Sequence, residues 1–272
     1  MSGDEVALAA LSRQIASVAG VTADVYKDKC LRRRIGVRMR ACGVHTLDDY
    51  LAILEQTPAE QQRLRDTLTI NVTRFYRNRE TWALLRERVL PELWEARAGR
   101  LLAWSAGCAS GEEPYTLALL IAEIARERRE SERLNRVQID ATDVDSASLE
   151  RAANGVYRTD ALSELPPELT ARYLAPDGAG HRIAREVRER VSVRYLDLGA
   201  DRPLRTSYDL ILCRNVVIYF DRAMQERLFL TFARHLSPGG VLVLGKVETL
   251  LGPARDQLQL VDARERIYRR AS

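Results

Sequence analysis

Trp104-Ser105-Ala106-Gly107-Cys108-Ala109-Ser110-Gly111-Glu112-Glu113-Pro114-Tyr115 is the stretch on which the reading of this chain turns. It follows the short apolar run Leu101 to Ser105 and precedes a helical pattern from Pro114 to about Arg128. A strand, a glycine-containing turn and a helix in that order place backbone N–H groups at the strand's carboxyl end. Downstream the pattern repeats. Gln138 to Thr142 reads as a second strand, with Ser146 capping the next helix, and Val191 to Tyr195 as a third. Tyr208 to Cys213 reads as a fourth, almost wholly apolar, as a parallel strand covered on both faces should be. A helix from about Arg222 to Leu236, a turn at Pro238-Gly239-Gly240 and a strand Val241 to Leu244 follow. One or two closing strands are expected between Leu258 and Arg269. Strands alternating with helices predict an open α/β sheet. Residues 155–190, with Pro166-Pro167, Pro176 and Gly178, interrupt the alternation and read as a small antiparallel insertion.

Upstream, about 1–75, the chain shows helical periodicity and no convincing strand. Leu8, Leu11, Ile15 and Val18 mark a helix over 5–19, and Leu31, Ile35 and Met39 mark another from about Asp24 to Cys42, stopped by Gly43. Thr46 caps a third helix through Ile53, and Pro58 opens a fourth after Thr57. The expected domains are therefore a helical one at 1–75 and an α/β one at 76–272.

The 272 residues are 46% hydrophobic and 29% charged, an ordinary globular balance. A net charge of +4 is too small to argue nucleic-acid binding by itself. The excess gathers in the second helix, at Lys27, Lys29, Arg32, Arg33, Arg34, Arg38 and Arg40. Cys30, Cys42, Cys108 and Cys213 are scattered without a CxxC pair, and His45, His181 and His235 are as dispersed. Neither a disulfide framework nor a metal site is expected. Cys213, in an apolar run, reads as core. Met1-Ser2-Gly3-Asp4-Glu5 lacks the cationic start of a signal peptide, and no apolar run reaches the ~20 residues of a membrane span, so a cytoplasmic protein is expected.

Four polar constellations stand beside this framework. In the opening motif, Glu112 and Glu113 lie where a dinucleotide's pyrophosphate would sit. Two carboxylates repel phosphate and suit a ligand carrying an amino group and a sulfonium, which favours S-adenosylmethionine over NAD or ATP. The alternative is that both glutamates only complement the helix dipole. Asp143, directly after the second strand, suits ribose hydroxyls, or is a turn residue with Asp145. Arg214 and Asn215 interrupt the apolar run Cys213-Arg214-Asn215-Val216-Val217-Ile218-Tyr219-Phe220 and point to the same crevice, or cap the next element. Asn71-Val72-Thr73-Arg74-Phe75-Tyr76-Arg77 has no evident core role and by itself reads as a polar linker.

Taken in order, these motifs resemble the chemotaxis receptor methyltransferase family, CheR, over nearly the whole chain. The resemblance implies a Rossmann-like class I methyltransferase sheet with a small all-helical N-terminal domain and a small antiparallel β-subdomain at about 155–190. It implies S-adenosylmethionine as methyl donor, S-adenosylhomocysteine as product, and glutamate side chains on the cytoplasmic helices of chemoreceptors as acceptors. By motif position, Asn71, Thr73 and Arg77 would meet the donor's methionine end or the incoming glutamate. Glu113, with Glu112 beside it, would hold the methionine portion and Asp143 the ribose. Asp197 and Leu198 would flank the adenine, Arg214 and Asn215 would line the donor, and Tyr219 would lie near the transferred methyl. Arg77 and Tyr219 are the catalytic candidates. Arg33, Arg34 and Arg38 would face the acidic receptor helices. A monomer without nucleic acid, metal or membrane insertion is expected. Two positions depart from the pattern: Asp197 replaces the usual Asn, and Gly245-Lys246-Val247-Glu248 replaces Gly-His-Ser-Glu. The loop Ala175 to His181 is shorter than in members that dock on a receptor's C-terminal pentapeptide, so that mode is not expected here.

A glutamate carboxylate, with a reference pKa of about 4.3, is ionised at pH 7 and needs no general base to attack a methyl group. The lack of an obvious catalytic His or Cys agrees with this acceptor. Methylation of RNA or a small molecule is the first competing reading, and a non-enzymatic S-adenosylmethionine-binding signalling module the second. No aromatic interleaving accompanies the basic run, which counts against RNA.

Overall fold

A computed structural model describes residues 3–18, 27–68, 73–98, 100–199 and 203–271. The chain forms two compact units, one of residues 1–70 with 218–225, the other of 71–217 with 226–272.

The first unit is helical: α1 (Gly3–Val18), α2 (Asp28–Cys42), α3 (Leu47–Gln56) and α4 (Pro58–Leu68). Ile15, Leu31, Ile35, Tyr50, Leu54 and Leu64 form its core, so the four-residue stripe expected of α2 does face inward. Gly43 ends α2 in the left-handed region at φ 72°, where its N–H reaches back to Arg40 and that of Val44 to Met39. Thr46 caps α3 by accepting the Asp49 N–H at 3.1 Å. The part of the second helix expected at 24–26 lies outside the described residues.

The second unit opens with α5 (Arg79–Leu84), a π-helical turn (Leu85–Val89) and α6 (Leu90–Ala96). The sequence reading missed this run, because Pro91 interrupts its pattern. The wider turn before Pro91 keeps the helix going where an N–H is lacking. Next come β1 (Leu101–Ala106), α7 (Glu112–Glu127), β2 (Val137–Asp143) and α8 (Ser146–Asn154). The inserted segment carries β3 (Val156–Arg158), α9 (Pro167–Tyr173), β4 (Leu174–Asp177), β5 (Gly180–Ile183) and α10 (Arg185–Arg188). The chain closes with β6 (Val191–Tyr195), β7 (Tyr208–Cys213), α11 (Arg222–His235), β8 (Leu236–Leu244), β9 (Leu258–Asp262) and β10 (Ile267–Arg270).

The main sheet runs β6-β2-β1-β7-β8-β10-β9. The strands from β6 to β8 are mutually parallel, and β10 and β9 are antiparallel additions at one edge. The expected α/β sheet is present, and the insertion is a separate antiparallel sheet, β3-β5-β4. From β1 the chain winds outward through β2 to β6, then returns to the other side of β1 as β7. The carboxyl ends of β2, β1 and β7 therefore border a topological switch point, where open α/β sheets bind ligands. Cys213 is fully buried in β7.

Three local expectations are corrected. Helix α7 starts at Glu112, two residues before Pro114, so both glutamates sit in its first turn. Asp145, not Ser146, caps α8, because its carboxylate accepts the Ala147 N–H at 3.0 Å and the Ser148 hydroxyl at 2.8 Å. Pro238-Gly239-Gly240 is no turn between elements but part of β8. The β7–β8 register slips between Tyr208 and Leu210, and such an irregularity tolerates a proline and a glycine at φ 73°. Among the described residues no helix is long and apolar enough to cross a membrane.

Candidate active site

The loop after β1 is held tightly against β2. Gly107 and Cys108 both donate N–H bonds to the Thr142 carbonyl, at 2.8 and 2.9 Å. Gly107 has φ 82°, and a Cβ there would come within 2.4 Å of Val216. Gly111, at φ 96°, closes the loop through an N–H bond to the Cys108 carbonyl at 3.0 Å, and α7 begins with the next residue. Glycine is required at both positions for its backbone freedom and its lack of bulk.

Asp143 is anchored at the end of β2. One carboxylate oxygen accepts the Ala109 N–H at 2.8 Å; the other accepts those of Val144 and Asp145 at 2.8 and 3.0 Å. Burial nevertheless pushes its pKa up, against the pull of these N–H bonds. A carboxylate offers about four lone-pair sites, so three bonds leave room for roughly one more partner. Asp197 follows β6, which is tied here by the Leu196 N–H bond to the Asp143 carbonyl. Asp197 accepts the Gly199 N–H at 2.7 Å and, like Leu198, is half-buried.

Glu112 and Glu113 are placed by the first turn of α7. Ser110 donates to Glu112 at 2.8 Å, and the Thr73 hydroxyl also bonds to it. Glu113 accepts from Ser105 at 2.8 Å and meets Arg214 at only 3.3 Å. Burial raises both carboxyls above their ordinary range; for Glu113, Arg214 and Ser105 offset this only in part.

Arg214 is buried and does more than line a crevice. Its other nitrogen donates to the Arg77 carbonyl at 2.7 Å and to Asn78 at 3.1 Å, and its guanidinium lies 5.2 Å from the Trp82 ring centre. It thus joins Glu113 to the Arg77–Asn78 segment, where Tyr76 and Asn78 have φ of 55° and 63°. Asn215 takes the left-handed conformation at φ 62°, and its N–H donates to buried Glu248 at 2.9 Å. The same Glu248 oxygen accepts the Gly245 N–H at 2.6 Å. The Asn215 side-chain oxygen is buried and has no hydrogen-bond partner.

The loops after β1, β2 and β7 therefore bring Glu112, Glu113, Asp143, Arg214 and Asn215 together. Asn71 lies outside the described residues. Tyr219 is grouped with the helical unit: its carbonyl accepts the Lys27 N–H at 3.0 Å, and the Arg34 guanidinium lies 4.4 Å from its ring centre. Arg34, 6% exposed, and Arg38, bonded through two nitrogens to Glu60, are engaged inside that unit, whereas Arg33 is exposed. The basic stripe is thus not one solvated face, because its residues alternate around a packed helix. Sequence reasoning missed Ser105 and left Glu248 without a role. Ser105 ends the apolar run of β1, where a hydroxyl facing the crevice was the available signal; Glu248 acts through backbone N–H groups, which leave no trace in sequence.

The site fits S-adenosylmethionine on its own geometry. Three carboxylates with pKa values raised by desolvation, Glu112 buried and Glu113 and Asp143 half-buried, suit a cationic ligand with a ribose diol, and the unpartnered Asn215 oxygen is a further acceptor beside them. Comparisons with known proteins agree. Residues 71–267 match the family model described as CheR methyltransferase, SAM binding domain, and residues 7–69 match the CheR methyltransferase all-alpha domain. A chemotaxis protein methyltransferase of Klebsiella aerogenes is 35% identical over 253 residues, covering 90% of this chain and 84% of that protein. Chemotaxis protein methyltransferase 1 of Pseudomonas aeruginosa is 33% identical over 256 residues, covering 93% of each. With both family models matched in order and relatives of this similarity aligned along most of its length, the chain belongs to the CheR methyltransferase family.

Proposed function

We propose that the protein transfers the methyl group of S-adenosylmethionine to glutamate side chains on chemoreceptor cytoplasmic helices, leaving glutamate methyl esters and S-adenosylhomocysteine. The observation that supports the donor is the set of acceptors Glu113, Asp143 and the unpartnered Asn215 oxygen at the carboxyl ends of three adjacent parallel strands, while the glutamate acceptor follows from the family. Glu113 and Asn215 hold the donor's ammonium end, Asp143 takes one ribose hydroxyl, and Asp197 and Leu198 flank the adenine. Thr73 acts through Glu112. Asn71 and Tyr219 are assigned to the donor and the acceptor on the resemblance alone.

When bound, the donor supplies an electrophilic methyl on a sulfonium. Transfer would join a glutamate oxygen to that methyl carbon as the carbon–sulfur bond breaks, with its electron pair left on sulfur. No proton moves, so no general base is required. The protein's work is alignment and exclusion of water, worth on the order of 7–11 kcal/mol in well-oriented systems. Arg77 orients one acceptor oxygen, since a firm grip would stabilise the ground state more than the transition state. Arg214 clamps the Arg77 segment rather than touching the acceptor.

Arg33, exposed on α2 together with Lys29 and Arg40, belongs to the part of the basic stripe available to meet acidic receptor helices. The test is transfer of radiolabelled methyl from S-adenosylmethionine to a receptor cytoplasmic fragment. Label released as methanol in mild alkali identifies esters. Base-stable label, or label on RNA in place of the receptor, would replace the acceptor proposed here.

A further inference from the structure

We propose that Tyr157 is a positioning residue for the methyl-donor site, fixing the peptide unit between Ser110 and Gly111 from which α7 starts. The inference rests on the reading of that site under Proposed function. Tyr157 lies on β3, in the inserted sheet, and is buried. Its hydroxyl donates to the Ser110 carbonyl at 2.7 Å. The Gly111 N–H, on the other side of the same peptide, donates to the Cys108 carbonyl at 3.0 Å. A trans peptide is planar, with its C=O and N–H pointing oppositely, so two bonds pin the whole unit.

The fit is close. A Cβ on Gly111 would stand 2.7 Å from the Tyr157 hydroxyl and 2.9 Å from the Ala152 side chain. The Tyr157 ring also meets Phe75 edge-on, with centroids 4.8 Å apart. One side chain thus touches both the glycine loop that launches Glu112 and Glu113 and the segment that carries Thr73 and Arg77. A rotated Ser110–Gly111 peptide would re-aim the first turn of α7 and both carboxylates. The insertion is therefore part of the donor site's scaffold, acting through Tyr157 without touching the ligand.

Tyr208 supplies a control. Its buried hydroxyl donates to Asp140 at 2.9 Å from the first residue of β7, at the strand end away from the glycine loop. The experiment is calorimetric titration of S-adenosylhomocysteine into the unaltered protein, Tyr157→Phe and Tyr208→Phe, with thermal midpoints and amide exchange of residues 107–113 measured on each. Both variants should lose thermal stability. Tyr157→Phe should bind about tenfold more weakly, one hydrogen bond's worth, and exchange faster in that loop; Tyr208→Phe should bind within about twofold of the parent. Equal affinity in Tyr157→Phe and the parent, or equal losses in both variants, would overturn the inference while leaving the donor site standing. Failure of the unaltered protein to bind would overturn the donor site and the inference together.

Discussion

Two desolvated carboxylates, one in each unit, have opposite fates. Glu60, in the helical unit, is 2% exposed and fully engaged. It accepts two bonds from Arg38, at 2.7 and 2.9 Å, and one from the Tyr50 hydroxyl at 2.9 Å. Burial alone would raise its pKa, but Arg38 and Tyr50 more than offset this and hold it below the ordinary range. Glu113, in the α/β unit, is half-buried; it accepts from Ser105 and meets Arg214 at 3.3 Å, yet desolvation outweighs both partners. A fully paired buried charge holds structure together; one whose desolvation outweighs its partners is a standing cost that a ligand can relieve.

The sharpest way to break this contrast is Arg38→Ala. Leaving Glu60 buried without its main partner should cost about 3 kcal/mol of the helical unit's stability in denaturant unfolding. Affinity for S-adenosylhomocysteine should stay within about twofold. A large loss of that affinity would mean that Glu60 is not a purely local brace. Next in size, Glu113→Gln should weaken S-adenosylhomocysteine roughly 30-fold, the worth of a hydrogen bond to a charged group. Its thermal midpoint should fall less than that of Arg38→Ala, because glutamine can still accept from Ser105 and Arg214 while a charge whose desolvation outweighs its partners is gone; an equal fall would show that Glu113 holds structure as Glu60 does.

The pH dependence sharpens the comparison further. Glu113 and Asp143 have raised pKa values, and on the proposed reading their ionised forms take the ammonium and a ribose hydroxyl. Affinity should therefore be full above those raised values and decline as pH falls through them, by about tenfold per unit for one proton. The same shifts cost the empty protein stability at neutral pH, a cost relieved on acidification. Glu60 runs the other way: its stabilisation is present above the unfolded carboxylate value of about 4.3 and lost only as pH drops through its lower folded value. Ligand binding should thus fade at a higher pH than the one at which the helical unit unfolds, and coincidence of the two, followed by calorimetry and circular dichroism, would erase the distinction. The smallest effect is expected from Arg33→Glu, a fewfold loss of receptor-fragment affinity at low salt that shrinks as salt is added. Unchanged affinity at low salt would remove Arg33 from the docking surface.

Much of the architecture was legible beforehand because it rests on local rules. The four-residue stripe of α2, its Gly43 stop, the Thr46 cap and the apolar run of β7 each declare an element by periodicity or capping. The glycine motif and Asp143 were legible for the same reason: a ligand at a switch point needs glycine after one strand and a polar residue after its neighbour. The helix over 79–96 was missed because Pro91 is a breaker by local rules, whereas in the fold a π-turn precedes it and the flanking Trp82 and Trp94 are buried. Which arginines of α2 are taken up inside the helical unit was not legible, since that depends on where Glu60 and Tyr219 arrive.

By itself, then, the sequence determined the alternation of strands and helices, the glycine turn, the acidic character of the site and the family. Those follow from side-chain period and residue chemistry, which operate within a few residues of each other. Tertiary structure alone decided that Arg214 clamps the Arg77 segment, that Glu248 braces Asn215 through backbone N–H groups, and that Tyr157 from the inserted sheet pins the glycine loop. Each is a hydrogen bond between groups more than thirty residues apart, and the chain must close on itself before either partner has anything to bond.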